Sequence, residues 1–223
     1  IRKRISTTRM LAIRRFMTPV PSMFAPPRHI PWCTLLLAAA TVGLSVHAAI
    51  EISGTWLGRV RIVELENYGL RFRHLQELEL WRLVTAQLVH VKQPHMVGDV
   101  FCLLLVGTAV ERNIGFLRLL VLWLVGGSLA ILFSSLFVLP PWNLGTGASQ
   151  AIMAISGAGI WLALTGADRS RFLLLAVSFS IGLAFTIDIV HVYYPKPGHV
   201  AGVLIGLLIA TLYRMNVDAP RAE

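Results

Sequence analysis

The chain has 223 residues, 56% of them hydrophobic and only 14% charged, and its mean hydropathy is +0.70. Soluble domains carry roughly 25% charged residues, so the composition excludes an ordinary soluble protein and indicates an integral membrane protein. The formal charge of +9 does not point to nucleic acid, because seven of the twenty Lys and Arg lie in the first 28 residues, ahead of the first apolar run, as a cytoplasmic basic flank.

Residues 1–31 form a basic, Pro-containing tail that is free of acids and rich in Arg, so a transit peptide is an alternative reading of this segment. The first apolar run, Trp32–Ile50, reads as a membrane span. The stretch Val46-His47-Ala48 resembles a signal cleavage site, but the apolar core and the tail before it are long for a signal peptide. Cys33 and Cys102 both lie in apolar stretches, are too few for a disulfide framework, and read as small buried hydrophobes.

Residues 51–93 are the long first loop. Within it Leu75, Leu78, Trp81, Val84 and Leu88 recur at helical spacing with Glu77, Glu79 and Arg82 between them, which predicts one amphipathic helix at the membrane surface. Trp81 is expected to anchor at headgroup level, with the Arg82 guanidinium on backbone carbonyls.

Further spans are predicted at 95–110, 116–138, 148–165, 172–190 and 199–213, followed by a cytoplasmic tail at 214–223. The second and sixth need extension at their ends or a locally thinned bilayer. With the N-terminus inside, thirteen basic residues are cytoplasmic against seven outside, so the positive-inside rule places both termini in the cytoplasm. Spans two, four and six then all begin at the outer face, which brings His95, Ser149 and His199 to one level.

Ser149 opens the fourth span after Gly145, Gly147 and Ala148. The first N–H groups of a helix lack intrahelical partners and, with the helix dipole, suit a developing oxyanion. An N-cap serine is the plainer alternative. His199 opens the sixth span beside Gly198, Gly202 and Gly206, small residues that let another helix approach closely. A serine and a histidine meeting at one depth in a bilayer point to hydrolytic chemistry, with the hydroxyl as nucleophile and the imidazole as base.

In order and spacing these residues resemble the rhomboid intramembrane serine proteases. The matching blocks are Trp81-Arg82 followed by His90 and His95, Gly107-x3-Glu111-x3-Gly115, the Gly147-x-Ser149 motif and His199-x-x-Gly202-x-x-x-Gly206. The resemblance covers roughly residues 32–213 and implies an all-α, six-transmembrane-helix rhomboid-like bundle. It implies cleavage of a peptide bond near the outer end of a client's transmembrane helix by a Ser–His dyad. Carried over by position, Ser149 is the nucleophile and His199 the base, and His95 joins the Ser149 backbone N–H in the oxyanion hole.

Two positions depart from the family. Asp99 stands where an asparagine usually helps to hold the oxyanion, and Gln150 replaces the glycine that usually follows the serine. Asp99 is expected to be either a neutral donor or a carboxylate paired with His95, one helical turn away. Gln150 either narrows the site or adds a hydrogen-bonding group. Glu111 and Arg112 read as structural. Asp188 could orient a histidine, although a Ser–His pair requires no third member.

No metal or organic cofactor is implied, since His-Glu-x-x-His is absent. Asp99 and Asp188 lack the flanking signature of aspartyl intramembrane proteases, and no repeated half suggests a transporter. The expected partners are transmembrane protein substrates and the lipid bilayer, the expected location a bacterial inner membrane with the active site toward the outer face. A catalytically impaired rhomboid-like pseudoprotease that binds transmembrane clients is the alternative.

Overall fold

A computed structural model describes residues 30–140 and 143–214. The basic tail, apart from its last two residues, and the C-terminal tail after Arg214 lie outside the described residues. Among those described the chain is all-helical, with one isolated bridge between Leu70 and Gly145. The helices are α1 (Trp32–Ser53), α2 (Phe72–Gln76), α3 (Arg82–Leu88), α4 (Gln93–Ile114), α5 (Phe116–Phe137), α6 (Ser149–Thr165), α7 (Arg171–Val192) and α8 (Pro197–Arg214).

Helices α1, α4, α5 and α7 are long and apolar enough to cross a membrane. Helix α6, with 17 residues, extends about 26 Å at 1.5 Å per residue, short of a hydrocarbon core of about 30 Å. It tolerates this because it is the central helix: every side chain from Ser149 to Gly159 is buried, so neighbouring helices rather than lipid surround it. Extra residues at both ends of α4, relative to the apolar run seen in the sequence, bring that helix to spanning length.

Sequence chemistry explains how the bundle closes. Helices α6 and α8 pack together more extensively than any other pair, because their glycines let backbone meet backbone. A methyl group built on Gly206 would sit 1.8 Å from the Ala154 carbonyl oxygen, and one on Gly157 would sit 2.1 Å from that of Val203. Gly198, the first member of the same repeat, instead meets Ser134 and Ala130 of α5. At the other end of the bundle, Pro31 offers no side-chain cap to α1. Glu111 of α4 does the capping: its carboxylate accepts the Cys33 and Thr34 N–H groups at 2.9 and 2.8 Å and the Thr34 hydroxyl at 2.7 Å. Glu111 is therefore structural, and both cysteines are free and buried.

The first loop corrects one expectation. The single helix predicted through residues 75–88 is two helices, α2 and α3, separated by a turn at Leu78, whose φ is +60°. Of the predicted stripe, Leu75 packs inward with Leu83 against Leu70, Ala86 and Ile131, and Leu88 packs on the main core. Leu78, Trp81 and Val84 are instead exposed. Arg82 does lie on backbone carbonyls, donating to those of Glu66 and Gly69 at 2.5 and 3.1 Å, and its guanidinium stacks 4.4 Å from the Trp81 ring.

Candidate active site

Ser149 is the first residue of α6, and the N-cap position is Ala148, which offers no side-chain cap. The hydroxyl is thus not spent on its own helix, and the plainer N-cap reading fails. Gly147 supplies the turn before it with φ +97°, a conformation that favours glycine. The approach is fixed from the first loop: Leu70 and Gly145 exchange backbone hydrogen bonds at 3.0 and 2.8 Å, and the Gly147 N–H donates to the Ala86 carbonyl at 2.9 Å.

From α8, the Nε2 atom of His199 lies 2.8 Å from the Ser149 hydroxyl oxygen, across the glycine-lined contact. On the far side of the ring, His199 Nδ1 lies 2.6 Å from an Asp188 carboxylate oxygen contributed by α7. The same oxygen accepts the Lys196 backbone N–H at 2.9 Å, and the other carboxylate oxygen faces the Lys196 ammonium at 3.5 Å. Asp188 is 0% exposed and His199 3%. Asp188, weighed in the sequence only as a possible orienting group, thus directly contacts the histidine. Its signal was faint: a lone acid near the end of an apolar run.

His95 and Asp99, both on α4, line one cavity of about 150 Å³ with Ser149, His199 and Lys196. Asp99 is directed chiefly to His90, whose Nε2 is 2.9 Å away, while His95 Nε2 is 3.6 Å distant. His90 itself sits between elements. Its Nδ1 is 3.0 Å from the Ser45 hydroxyl of α1, and the Ala148 N–H approaches its Nε2 at 3.3 Å. The imidazoles of His90 and His95 meet edge to face with centroids 5.6 Å apart. His90 ties three elements together directly behind Ser149, a role that its place in the first-loop motif did not disclose.

The Gln150 carboxamide is buried beside Ser149. Its oxygen is 3.2 Å from the Ser149 hydroxyl and its nitrogen 3.4 Å from that of Ser134. A second cavity of about 320 Å³ passes Gln150, Ser134 and Thr146 and shares Pro94, His95, Ile187 and Lys196 with the first. Chemically, the arrangement offers a hydroxyl, an imidazole in hydrogen-bond reach of it, helix N–H groups without intrahelical partners and two adjoining cavities. Among the described residues no group of three His, Cys, Asp or Glu is gathered as a metal site.

Outside the spans, Glu66 anchors the first loop. Burial would raise its pKa, but hydrogen bonds and charge from Arg71 and Arg73 outweigh this and hold it below the ordinary value. Arg71 also donates to Asn143 Oδ1 at 2.8 Å, next to the approach to Ser149. Burial, followed by the nearby Arg82 charge, lowers the His74 pKa.

The Rhomboid domain family model matches residues 77–216. Among curated relatives, Rhomboid protease GluP of Bacillus subtilis is 31% identical over 169 residues, covering 72% of this chain and 31% of that protein. RHOMBOID-like protein 6, mitochondrial, of Arabidopsis thaliana is 27% identical over 151 residues, covering 64% of the chain and 46% of that protein. RHOMBOID-like protein 7 of the same plant is 27% identical over 138 residues, covering 59% and 43%. The chain spans less than half the length of these relatives.

Proposed function

Because the chain belongs to the rhomboid family of integral membrane proteins, we propose that it is an intramembrane serine endopeptidase, with Ser149 as nucleophile and His199 as base. The observation that carries this reading is the 2.8 Å contact between Ser149 Oγ and His199 Nε2 in a buried cavity. As Oγ bonds the scissile carbonyl carbon, its proton passes to Nε2 and the carbonyl electrons move to oxygen. The Ser149 backbone N–H, at the positive end of α6, and His95 are the groups assigned to that oxyanion. Collapse breaks the C–N bond, and the leaving nitrogen takes the proton from His199. Water then attacks the acyl-enzyme, giving a proton to His199, which returns it to Ser149 as the carboxylic product departs.

The clients are transmembrane proteins whose helices unwind readily near the outer face, since a hydrogen-bonded helix hides its peptide carbonyls. The larger cavity beside Gln150 offers such an unwound segment a place. In this reading all six helices α1 and α4–α8 cross a bacterial inner membrane, both termini are cytoplasmic, and Ser149 lies toward the outer face. Helices α4, α6 and α8 then begin at one level, as their shared cavity supports.

One observation favours a second reading. The Asp99 carboxyl lines the cavity where an oxyanion would form, and a negative charge there would oppose catalysis. A catalytically impaired rhomboid-like protein would use the same surface to bind transmembrane clients. Reconstitution with a single-pass reporter bearing a Gly- and Ala-rich outer segment separates the two. Cleavage lost in Ser149→Ala supports the protease. Reporter that is retained by wild type but never cut would establish the binder.

A further inference from the structure

We propose that Asp188 is the third member of this centre, a positioning residue that holds His199 in the one tautomer able to serve Ser149; the inference rests on the assignment of Ser149 and His199 as nucleophile and base. A fully buried carboxylate is strongly disfavoured unless paired and hydrogen-bonded, so its partners account for its presence in α7. The atom that contacts His199 also accepts the Lys196 backbone N–H at 2.9 Å, and a backbone amide can only donate. The Lys196 ammonium 3.5 Å from the other oxygen favours the ionised carboxylate, which can only accept. With Asp188 ionised, the 2.6 Å contact places the proton on His199 Nδ1, which leaves a lone pair on Nε2 directed at the Ser149 hydroxyl 2.8 Å away.

The same proton count extends to Gln150. Ser149 has one proton, and it goes to His199, so the hydroxyl cannot also donate to the Gln150 oxygen at 3.2 Å. Oxygen and nitrogen of a carboxamide exchange by a simple flip. The consistent arrangement turns the Gln150 NH₂ toward Ser149 Oγ and its carbonyl toward the Ser134 hydroxyl, which is free to donate. Hydrogen bonds then run in one direction, from Ser134 through Gln150, Ser149 and His199 to Asp188. When the Ser149 proton moves to Nε2, the imidazolium lies between two partners that favour it, and Asp188 remains ionised throughout. The oxyanion forms two bonds from Oγ, so the Gln150 amide is placed close to it, whereas Asp99 is engaged with His90.

The test uses the full chain in mild detergent and a fluorophosphonate probe, whose phosphorus Ser149 would attack with loss of the probe's leaving group. Labelling measured against probe concentration separates the maximal rate from the binding constant. Asp188→Asn keeps the shape, but its single carbonyl oxygen either stays on the Lys196 N–H and His199 Nδ1 without the negative charge that favours the imidazolium, or gives way to the NH₂ group, which forces the other tautomer. It is expected to cut the maximal rate by about 10²–10⁴-fold and to leave the binding constant and thermal midpoint close to wild type. A merely structural tie would lower the thermal midpoint rather than the maximal rate, and nitrogen-15 spectra of wild type, which need no variant, are expected to show the His199 proton on Nδ1, far downfield. Full-rate labelling of folded Asp188→Asn, or a wild-type proton on Nε2, overturns the proposal while leaving the dyad standing. Labelling that persists in Ser149→Ala would overturn the dyad itself.

Discussion

Helices α6 and α8 are held together by the approach of one backbone to another, whereas the first loop is held to itself by charged side chains, and to the segment leading into α6 by Arg71 and main-chain hydrogen bonds. In the first region Gly157, Gly202 and Gly206 leave no room for even a methyl group, so the separation of Ser149 and His199 is set by atoms that cannot rotate away. In the second, Glu66, Arg71, Arg73 and Arg82 connect segments through long side chains, and Leu70, Gly145 and Gly147 add backbone links. The first kind of joint fixes Ser149 against His199. The second fixes the approach to them, and its ion pairs are expected to weaken at low pH and high salt.

The contrast is broken most severely at Gly206. Gly206→Ala places a methyl group against the Ala154 carbonyl. It is expected to cost about 3 kcal/mol or more, because backbone must move, and to abolish Ser149 labelling as α6 and α8 separate. Thermal unfolding in detergent measures the first effect. An unchanged midpoint would mean that the two backbones are not in contact. Arg82→Met tests the other joint. Loss of its carbonyl hydrogen bonds and its stacking on Trp81 is expected to cost about 2 kcal/mol, with Ser149 still labelled in the fraction that remains folded. Equal loss of labelling and loop protection would show instead that the loop and the dyad form one unit.

A smaller effect sharpens the loop's own geometry. Leu78 holds φ +60° and is 79% exposed, and left-handed backbone costs a residue with a Cβ about 1–2 kcal/mol. Leu78→Gly is expected to raise stability in detergent by up to about 1 kcal/mol. A fall in stability would show that the leucine side chain contributes more than the strained backbone costs.

The smallest effect is the pH response of Glu66. Its folded pKa lies below the unfolded value, so its stabilisation is present above the ordinary carboxylate pKa and is lost as pH falls through the folded value. Because Glu66 is partly exposed, the contribution is modest. Proteolytic nicking of the 51–93 loop should increase as pH is lowered from neutral into the acidic carboxylate range, using an acid-active protease at matched activity. Protection that rises instead would contradict the role given to the arginines.

The sequence made some of this legible for definite physical reasons. Apolar runs locate α1, α4, α5 and α7 because spanning lipid demands uninterrupted hydrophobicity, and the four-residue glycine repeat announces a close helix contact. The turn at Leu78 was hidden because apolar spacing continues across it. The Asp188 contact was hidden too: it lies eleven positions before His199 in the chain, and the αL turn at Tyr193 folds α8 back toward the end of α7. His90 was visible as part of a motif, yet its partners Ser45, Asp99 and Ala148 come from three different elements. Long-range convergence of single polar residues leaves no periodic trace.

The most direct measurement of the central claim is fluorophosphonate labelling of the purified protein beside Ser149→Ala and His199→Ala, with each variant's fold checked by thermal unfolding. Covalent labelling of wild type, mapped to Ser149 by mass spectrometry and lost in both folded variants, is the expected result. A folded wild type that takes no label, or a label that persists in Ser149→Ala, would contradict the assignment of an activated serine at the head of α6.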